Sequence, residues 1–301
     1  MIIIEVAGGL GNQLQQYALY RKFESLDREV KLDISWFEDK SIKETIKKKA
    51  TTERKLELDY FDNLIYDTCT RKEKETLIGG DNLAGKIRRR ILPSTIRWFK
   101  ETEMYHPEVL NFDNMYISGY FACEKYYRDV LPDLREEIKF PSGGSPHNEE
   151  IVQEMRKRNS VSVHIRRGDY LSPENKEMFG NICTDAYYKR AMGIMKVEIP
   201  DAHFYIFSDD IPYAKEKYQS KEYTIVDINH GRDNFYDMWL MSNCKNNICA
   251  NSTFSFWGAR LNKNDKKIMI RPTIHKNSQV FQKEEMEELW KGWRFVSPEG
   301  K

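Results

Sequence analysis

From residue 160 onward the chain repeats one pattern: a short apolar strand, a turn, then a stretch with helical spacing. Ser160-Val161-Ser162-Val163-His164-Ile165 has strand character, and 184–197 has the spacing of a helix. A strand at His203-Phe204-Tyr205-Ile206-Phe207 follows, then a helical stretch around 213–218, a strand over 223–228 and a helix over 234–244. A strand over 247–250, a helix over 254–261 and a last strand, Lys267-Ile268-Met269-Ile270-Arg271, stopping at Pro272, complete the series. Such alternation leaves few choices, because parallel strands need crossover helices and those helices cover both faces of the sheet.

The N-terminus also starts as strand, loop and helix. Met1-Ile2-Ile3-Ile4-Glu5-Val6 runs into Gly8-Gly9-Leu10-Gly11-Asn12-Gln13 and then a helical pattern. Three glycines at a strand–helix junction make either a tight turn or a backbone that comes close to a ligand. The most linker-like stretch, Phe140-Pro141-Ser142-Gly143-Gly144-Ser145-Pro146, divides the chain into domains 1–145 and 146–301. A length of 301 residues has room for two such cores.

Several functions are disfavoured by composition. With 48 Lys and Arg against 47 Asp and Glu, bulk charge predicts no nucleic-acid partner. Five scattered cysteines with no Cys-x-x-Cys pair suggest neither a zinc site nor a disulfide framework, and reduced thiols in the cytoplasm are the simplest reading. The opening strand is too short and too acidic for a signal peptide, and no apolar run approaches the ~20 residues of a membrane span. Residues 41–100 are dominated by charge, in Lys47-Lys48-Lys49, Arg71-Lys72-Glu73-Lys74-Glu75 and Lys86-Ile87-Arg88-Arg89-Arg90, and read as solvated helix faces. The last of these continues into Ile91, Leu92, Ile96, Trp98 and Phe99, so a second reading of 86–100 is a basic amphipathic segment resting on an anionic membrane at its inner face.

Three strand ends carry the chemistry. His164-Ile165-Arg166-Arg167-Gly168-Asp169-Tyr170 sets two guanidiniums side by side, an arrangement suited to phosphate oxygens or to a surface salt-bridge cluster. His164, inside the strand, reads more simply as a core histidine than as a base. At Phe207-Ser208-Asp209-Asp210 the adjacent carboxylates lack the spacing of an Asp-x-Asp metal motif and supply too few oxygens for a hard cation. They suit a helix cap at Ser208 or Asp209, a nucleobase or ribose, or an arginine. In Asn251-Ser252-Thr253-Phe254-Ser255-Phe256-Trp257-Gly258-Ala259 a strand enters a helix through hydroxyl residues, which either cap it or hold a phosphate with its free N–H groups. No Gly-Lys-Ser/Thr follows the N-terminal glycines, and Leu14 stands where a dinucleotide fingerprint has its third glycine.

Taken together, these motifs resemble the α-1,2-fucosyltransferases of glycosyltransferase family 11. The glycine motif with Gln16-Tyr17-Ala18, the Arg motif, the Asp pair and the Asn251–Ala259 motif stand in family order, and Asp237-Met238-Trp239-Leu240-Met241-Ser242 also looks familial. Gln15 replaces a usual Phe and Phe256 a usual Trp. The resemblance implies an α/β, GT-B-type architecture of two Rossmann-like domains facing a cleft. It implies GDP-β-L-fucose as donor, no metal or other cofactor, and inverting transfer to the 2-hydroxyl of a terminal sugar, often galactose, in a glycan acceptor. Residue roles follow from it. Arg166 would hold the diphosphate with His164 close by, and Arg167 would assist it or brace the acids. Ser252, Thr253 and Ser255 would bind phosphate, Asp209 or Asp210 guanine or ribose, and Gly9, Gly11, Asn12 and Gln13 would line the sugar side. Asp169 is the nearest candidate for the base, with Glu174 second. The alternatives are a transferase of another sugar or linkage and a non-catalytic nucleotide- or glycan-binding module.

Overall fold

The computed structural model describes residues 1–38, 54–80, 82–102, 104–141 and 144–301, with the backbone but not the side chain of Glu174. Its contacts divide the chain into two units, Met1–Ile138 and Lys139–Lys301. Each is α/β and built on an all-parallel sheet, so both Rossmann-like units of the GT-B expectation are present. No helix among the described residues is long and apolar enough to cross a membrane.

In the first unit, β1 (Ile2–Glu5) lies between β2 (Val30–Asp33) and β4 (Met115–Ser118), with β3 (Trp98–Lys100) outside β4. The isoleucines of β1 are all buried, as a central parallel strand requires. Helix α1 (Leu10–Glu24) leaves the glycine turn and has no apolar stripe in the ordinary sense, because it buries three glutamines. Each finds a backbone partner. Gln15 Nε2 donates to the Tyr120 carbonyl at 2.7 Å and Gln16 Nε2 to that of Gly119 at 2.8 Å. Gln16 Oε1 in turn accepts from the Ala7 N–H at 3.0 Å. Gln15, a departure from the family pattern, thus has a carbonyl partner for its buried amide.

Among the described residues this unit has three further helices: α2 (Arg71–Ile78), α3 (Leu83–Ile91) and α4 (Leu131–Glu137). The charge run 71–75 belongs to α2 and 86–90 to α3, but Arg88 and Arg89 turn inward to backbone carbonyls instead of forming a solvated face, and Lys47-Lys48-Lys49 lies outside the described residues.

The second unit adds α5 (Pro146–Lys157), β5 (Asn159–Ile165), α6 (Pro173–Phe179), α7 (Asp185–Glu198), β6 (Ala202–Ser208), α8 (Ile211–Lys217) and β7 (Tyr223–Val226). It continues with α9 (Phe235–Asn243), β8 (Asn246–Ile248), α10 (Thr253–Leu261), β9 (Met269–Pro272), α11 (Lys283–Leu289) and β10 (Trp293–Val296). Strand order is β10-β9-β8-β5-β6-β7. The strand at 267–271 is therefore not the last. β10 pairs beyond it, Val296 opposite Pro272.

Both faces of this sheet are covered. Val161, Val163 and Ile165 pack with Tyr187, Tyr188, Met192 and Met195 of α7 on one side. On the other, Tyr205 and Phe207 pack with Val152 and Met155 of α5 and Leu240 and Met241 of α9. Ser162 survives in this core because its hydroxyl accepts from Asn247 Nδ2 at 2.7 Å.

Candidate functional site

The strand order reverses between β5 and β8. From β5 the chain builds outward through β6 and β7, then returns to place β8 on the opposite side of β5. Ligand crevices of open α/β sheets lie at such a reversal, outside the carboxyl ends of the strands. The Arg motif leaves β5 at this point, and α10 begins just beyond β8.

Arg166 is the centre of the cluster. Its Nη2 stands 2.7 Å from Asp169 Oδ1 and its Nη1 2.9 Å from Asp209 Oδ2, with the side chain 25% exposed. The guanidinium also sits over the Tyr170 ring, 5.6 Å from its centroid. Burial opposes its charge, but the Asp209 and Asp169 carboxylates outweigh that and hold its pKa above the usual value. Asp169 Oδ1, although close, is buried without an aligned hydrogen bond. Asp209 is the better tether, because its Oδ1 also accepts from the Arg167 N–H at 2.8 Å.

Gly168 is required here. A Cβ on it would lie 2.6 Å from Asp209 Oδ2, the atom that meets Arg166. Arg167 turns the other way. Its Nε donates to Asp210 Oδ2 at 2.9 Å and its guanidinium stacks 3.7 Å from the Tyr213 ring centroid. The hydrogen bond from Arg167, with that from the Tyr213 N–H, holds the Asp210 carboxyl below its ordinary range. Asp210, rather than Ser208 or Asp209, is the cap of α8, its Oδ1 accepting from Tyr213 N at 3.1 Å. Two guanidiniums therefore meet three carboxylates, and this cluster alone is not an anion receptor.

Helix α10 supplies the positive pole. Its N-cap, Ser252, makes no side-chain cap bond, so the first-turn N–H groups keep their donor capacity. Ser255 is taken up internally, its buried hydroxyl donating to the Ser252 carbonyl at 3.1 Å. His164 is buried near Phe254 of the same helix, with ring centroids 5.9 Å apart, and its Nδ1 has no hydrogen-bond partner. Burial, reinforced by the Arg166 charge, pushes its imidazole down to about 3, so it is neutral at physiological pH and a poor base.

Tyr170 and Asn251 join the two strand ends, and no motif reading gave either a role. Tyr170 OH donates to the Asn251 carbonyl at 2.9 Å. Asn251 Nδ2 donates to the carbonyls of Phe179 and His275, both at 3.1 Å, tying three loops together. Both residues stood inside quoted motifs, but their partners are distant in the chain. Glu174 belongs to α6, and its side chain lies outside the described residues.

In the first unit, Gly8 has φ +83° and faces Asn12, whose Nδ2 would be 2.6 Å from an added Cβ. Gly9 faces the Arg54 guanidinium, with Nη1 3.1 Å from a would-be Cβ. Gly11, in the first turn of α1, is buried. Gln13 is buried and bound to backbone throughout. Its Nε2 donates to the carbonyls of Gly8 (2.9 Å) and Lys55 (2.8 Å), and its Oε1 accepts from the N–H groups of Glu57 (2.7 Å) and Leu58 (3.2 Å). That amide braces the glycine turn. Among the described residues, no three His, Cys, Asp or Glu side chains gather in a way that could hold a metal ion.

The sequence model of Glycosyl transferase family 11 matches residues 99–297. An α-1,2-colitosyltransferase of Escherichia coli is 32% identical over 279 residues, 91% of each chain. The O-antigen biosynthesis glycosyltransferase WbnK of Escherichia coli is 30% identical, covering 89% of this chain and 92% of that one. Human galactoside α-(1,2)-fucosyltransferase 1 is 29% identical over 167 residues, 52% of this chain and 46% of that one. With its motifs at the strand ends of a parallel sheet and a family match across two thirds of its length, the chain belongs to glycosyltransferase family 11 and is a glycosyltransferase.

Proposed function

We propose that this enzyme transfers L-fucose from GDP-β-L-fucose, with inversion, to the 2-hydroxyl of a terminal sugar such as galactose. The observation that carries the reading is the pairing, at the β5/β8 reversal, of a clamped Arg166 with the uncapped start of α10. Breaking the glycosyl bond leaves negative charge on the diphosphate, and fixed donors aimed at that charge lower the barrier. Arg166 and the N–H groups of Thr253, Phe254 and Ser255 would supply them, with the Ser252 and Thr253 hydroxyls beside them. No metal is needed in this reading, because each of the three nearby aspartates is already engaged by a guanidinium or its neighbouring amide.

The incoming diphosphate would meet Arg166 while Asp209 and Asp169 keep the guanidinium in place. Arg167 and Asp210 act as a brace, and in the first unit Gln13 braces the glycine turn. Of the two candidate carboxylates, we take Asp169, paired with Arg166, as a holder of that guanidinium, and proton transfer is tested at Glu174. Replacing a true general base costs about a hundredfold to ten-thousandfold in turnover, and Glu174→Gln should show such a loss. A cytoplasmic setting fits the five free cysteines.

A second reading has a specific observation behind it: the α-1,2-colitosyltransferase is similar over nearly the whole chain. Incubation with GDP-fucose or GDP-colitose and a galactose-terminated disaccharide, followed by measurement of released GDP and of product linkage, separates the two. An α-1,2-fucosylated product supports the first reading. Turnover with GDP-colitose alone replaces it, and GDP release with neither donor overturns both.

A further inference from the structure

Helix α3 is amphipathic with its polar side turned inward. Asn82 caps it, Oδ1 accepting from the Gly85 N–H at 2.8 Å. Gly85 is buried so tightly against the preceding turn that an added Cβ would stand 1.9 Å from the Gly80 carbonyl oxygen. Arg88 Nη2 donates to the carbonyls of Thr76 (3.1 Å) and Thr95 (2.9 Å), and Arg89 Nη1 to that of Gly79 (3.0 Å). At about 100° per residue, Gly85, Arg88 and Arg89 share one side of the helix, so the inward face is held by backbone carbonyls.

The outward face is apolar. Leu83, Ile87 and Ile91 stand four residues apart and are 74%, 47% and 68% exposed, and Leu92, just past the helix end, is 53% exposed. Lys86 and Arg90 are exposed along one border of it. Between residues 82 and 100 the sequence has six basic side chains and no acidic one. Surface helices normally bury such a stripe.

We propose that this face seats α3 in the surface of an anionic lipid bilayer. The chemistry matches in both parts: acyl chains for Leu83, Ile87, Ile91 and Leu92, and phosphate-bearing headgroups for Lys86 and Arg90. A second copy of the chain fits less well. An antiparallel two-fold contact through the stripe would set the Lys86 and Arg90 borders of both copies side by side, like charge against like charge. The proposal is independent of which sugar is transferred.

The test is flotation of the full-length protein with vesicles of phosphatidylcholine alone or mixed with phosphatidylglycerol, at low salt and at about 0.5 M salt, where surface attraction is screened. Wild type is expected to float with the mixed vesicles, weakly with the neutral ones, and less at high salt. Lys86→Gln/Arg90→Gln should lower binding to mixed vesicles at least about tenfold. Leu83→Gln/Ile87→Gln/Ile91→Gln should abolish binding at either salt. All five side chains are exposed, so both variants should keep the wild-type thermal melt and GDP release with a soluble acceptor, which separates this outcome from failure of the enzymatic reading. The proposal is overturned if wild type ignores the mixed vesicles or if both variants float as well as wild type. It is also overturned if the triple substitution breaks a wild-type dimer while vesicle binding is absent.

Discussion

Removing Arg166 should damage catalysis by more than its own contacts. Charge-assisted hydrogen bonds to the leaving diphosphate are worth roughly 1.5–3 kcal/mol each. The side chain also neutralises two carboxylates, Asp169 at 2.7 Å and Asp209 at 2.9 Å. In Arg166→Ala both would face the incoming diphosphate. Like charges about 5 Å apart at a protein surface repel by roughly 3 kcal/mol before salt screening. Even half of these terms predicts about a hundredfold fall in kcat/KM with GDP-fucose, at ~1.4 kcal/mol per decade. Arg166→Lys keeps the charge but not the fork and should lie in between. Arg166→Ala/Asp169→Asn removes one repelling charge and should recover about tenfold of the loss. Steady-state kinetics with a parallel thermal melt check this. A loss below about twofold in a normally folded Arg166→Ala would refute the assignment.

Three further outcomes are expected. Gly168→Ala should push the Asp209 carboxylate off Arg166, lowering kcat/KM about tenfold while the melting temperature barely moves, because the nearest atoms that the added methyl meets belong to that movable side chain. Gln13→Ala should leave the amides of Glu57 and Leu58 and the carbonyls of Gly8 and Lys55 without their side-chain partner, destabilising the fold by roughly 2–4 kcal/mol in urea unfolding. Asp237 gives a pH signature. Burial, opposed by a hydrogen bond from Asn229, raises its carboxyl from 3.8 to about 7. The native state therefore binds more protons than the unfolded chain between these values, and stability falls as pH rises from about 4 through about 7. Asp237→Asn should flatten that slope and raise stability at pH 8 by about 2 kcal/mol in denaturant melts.

Much of the second unit was legible because fully buried parallel strands are apolar runs and their helices begin at capping side chains. Thr184 caps α7, its Oγ1 accepting from Tyr187 N at 3.2 Å, and Asp210 caps α8. Local patterns failed where the pairing partner is remote. β2, β3 and β4 are three or four residues long and are completed only by their neighbours in the sheet. β10 is an edge strand made by pairing with β9. Nothing local to the glutamines of α1 marks that Gln15 and Gln16 answer carbonyls more than a hundred residues away.

The site divides along the same line. Residue order alone placed Arg166 and Ser252 just after the ends of two strands, because strand periodicity and the glycine and hydroxyl punctuation after it are local properties. Folding decided which aspartate serves which arginine, which hydroxyl is left uncapped, and that Tyr170 and Asn251 hold the two strand ends together. Those choices depend on contacts between segments 40 to 80 residues apart, set by the order of strands in the sheet, and no local pattern carries them.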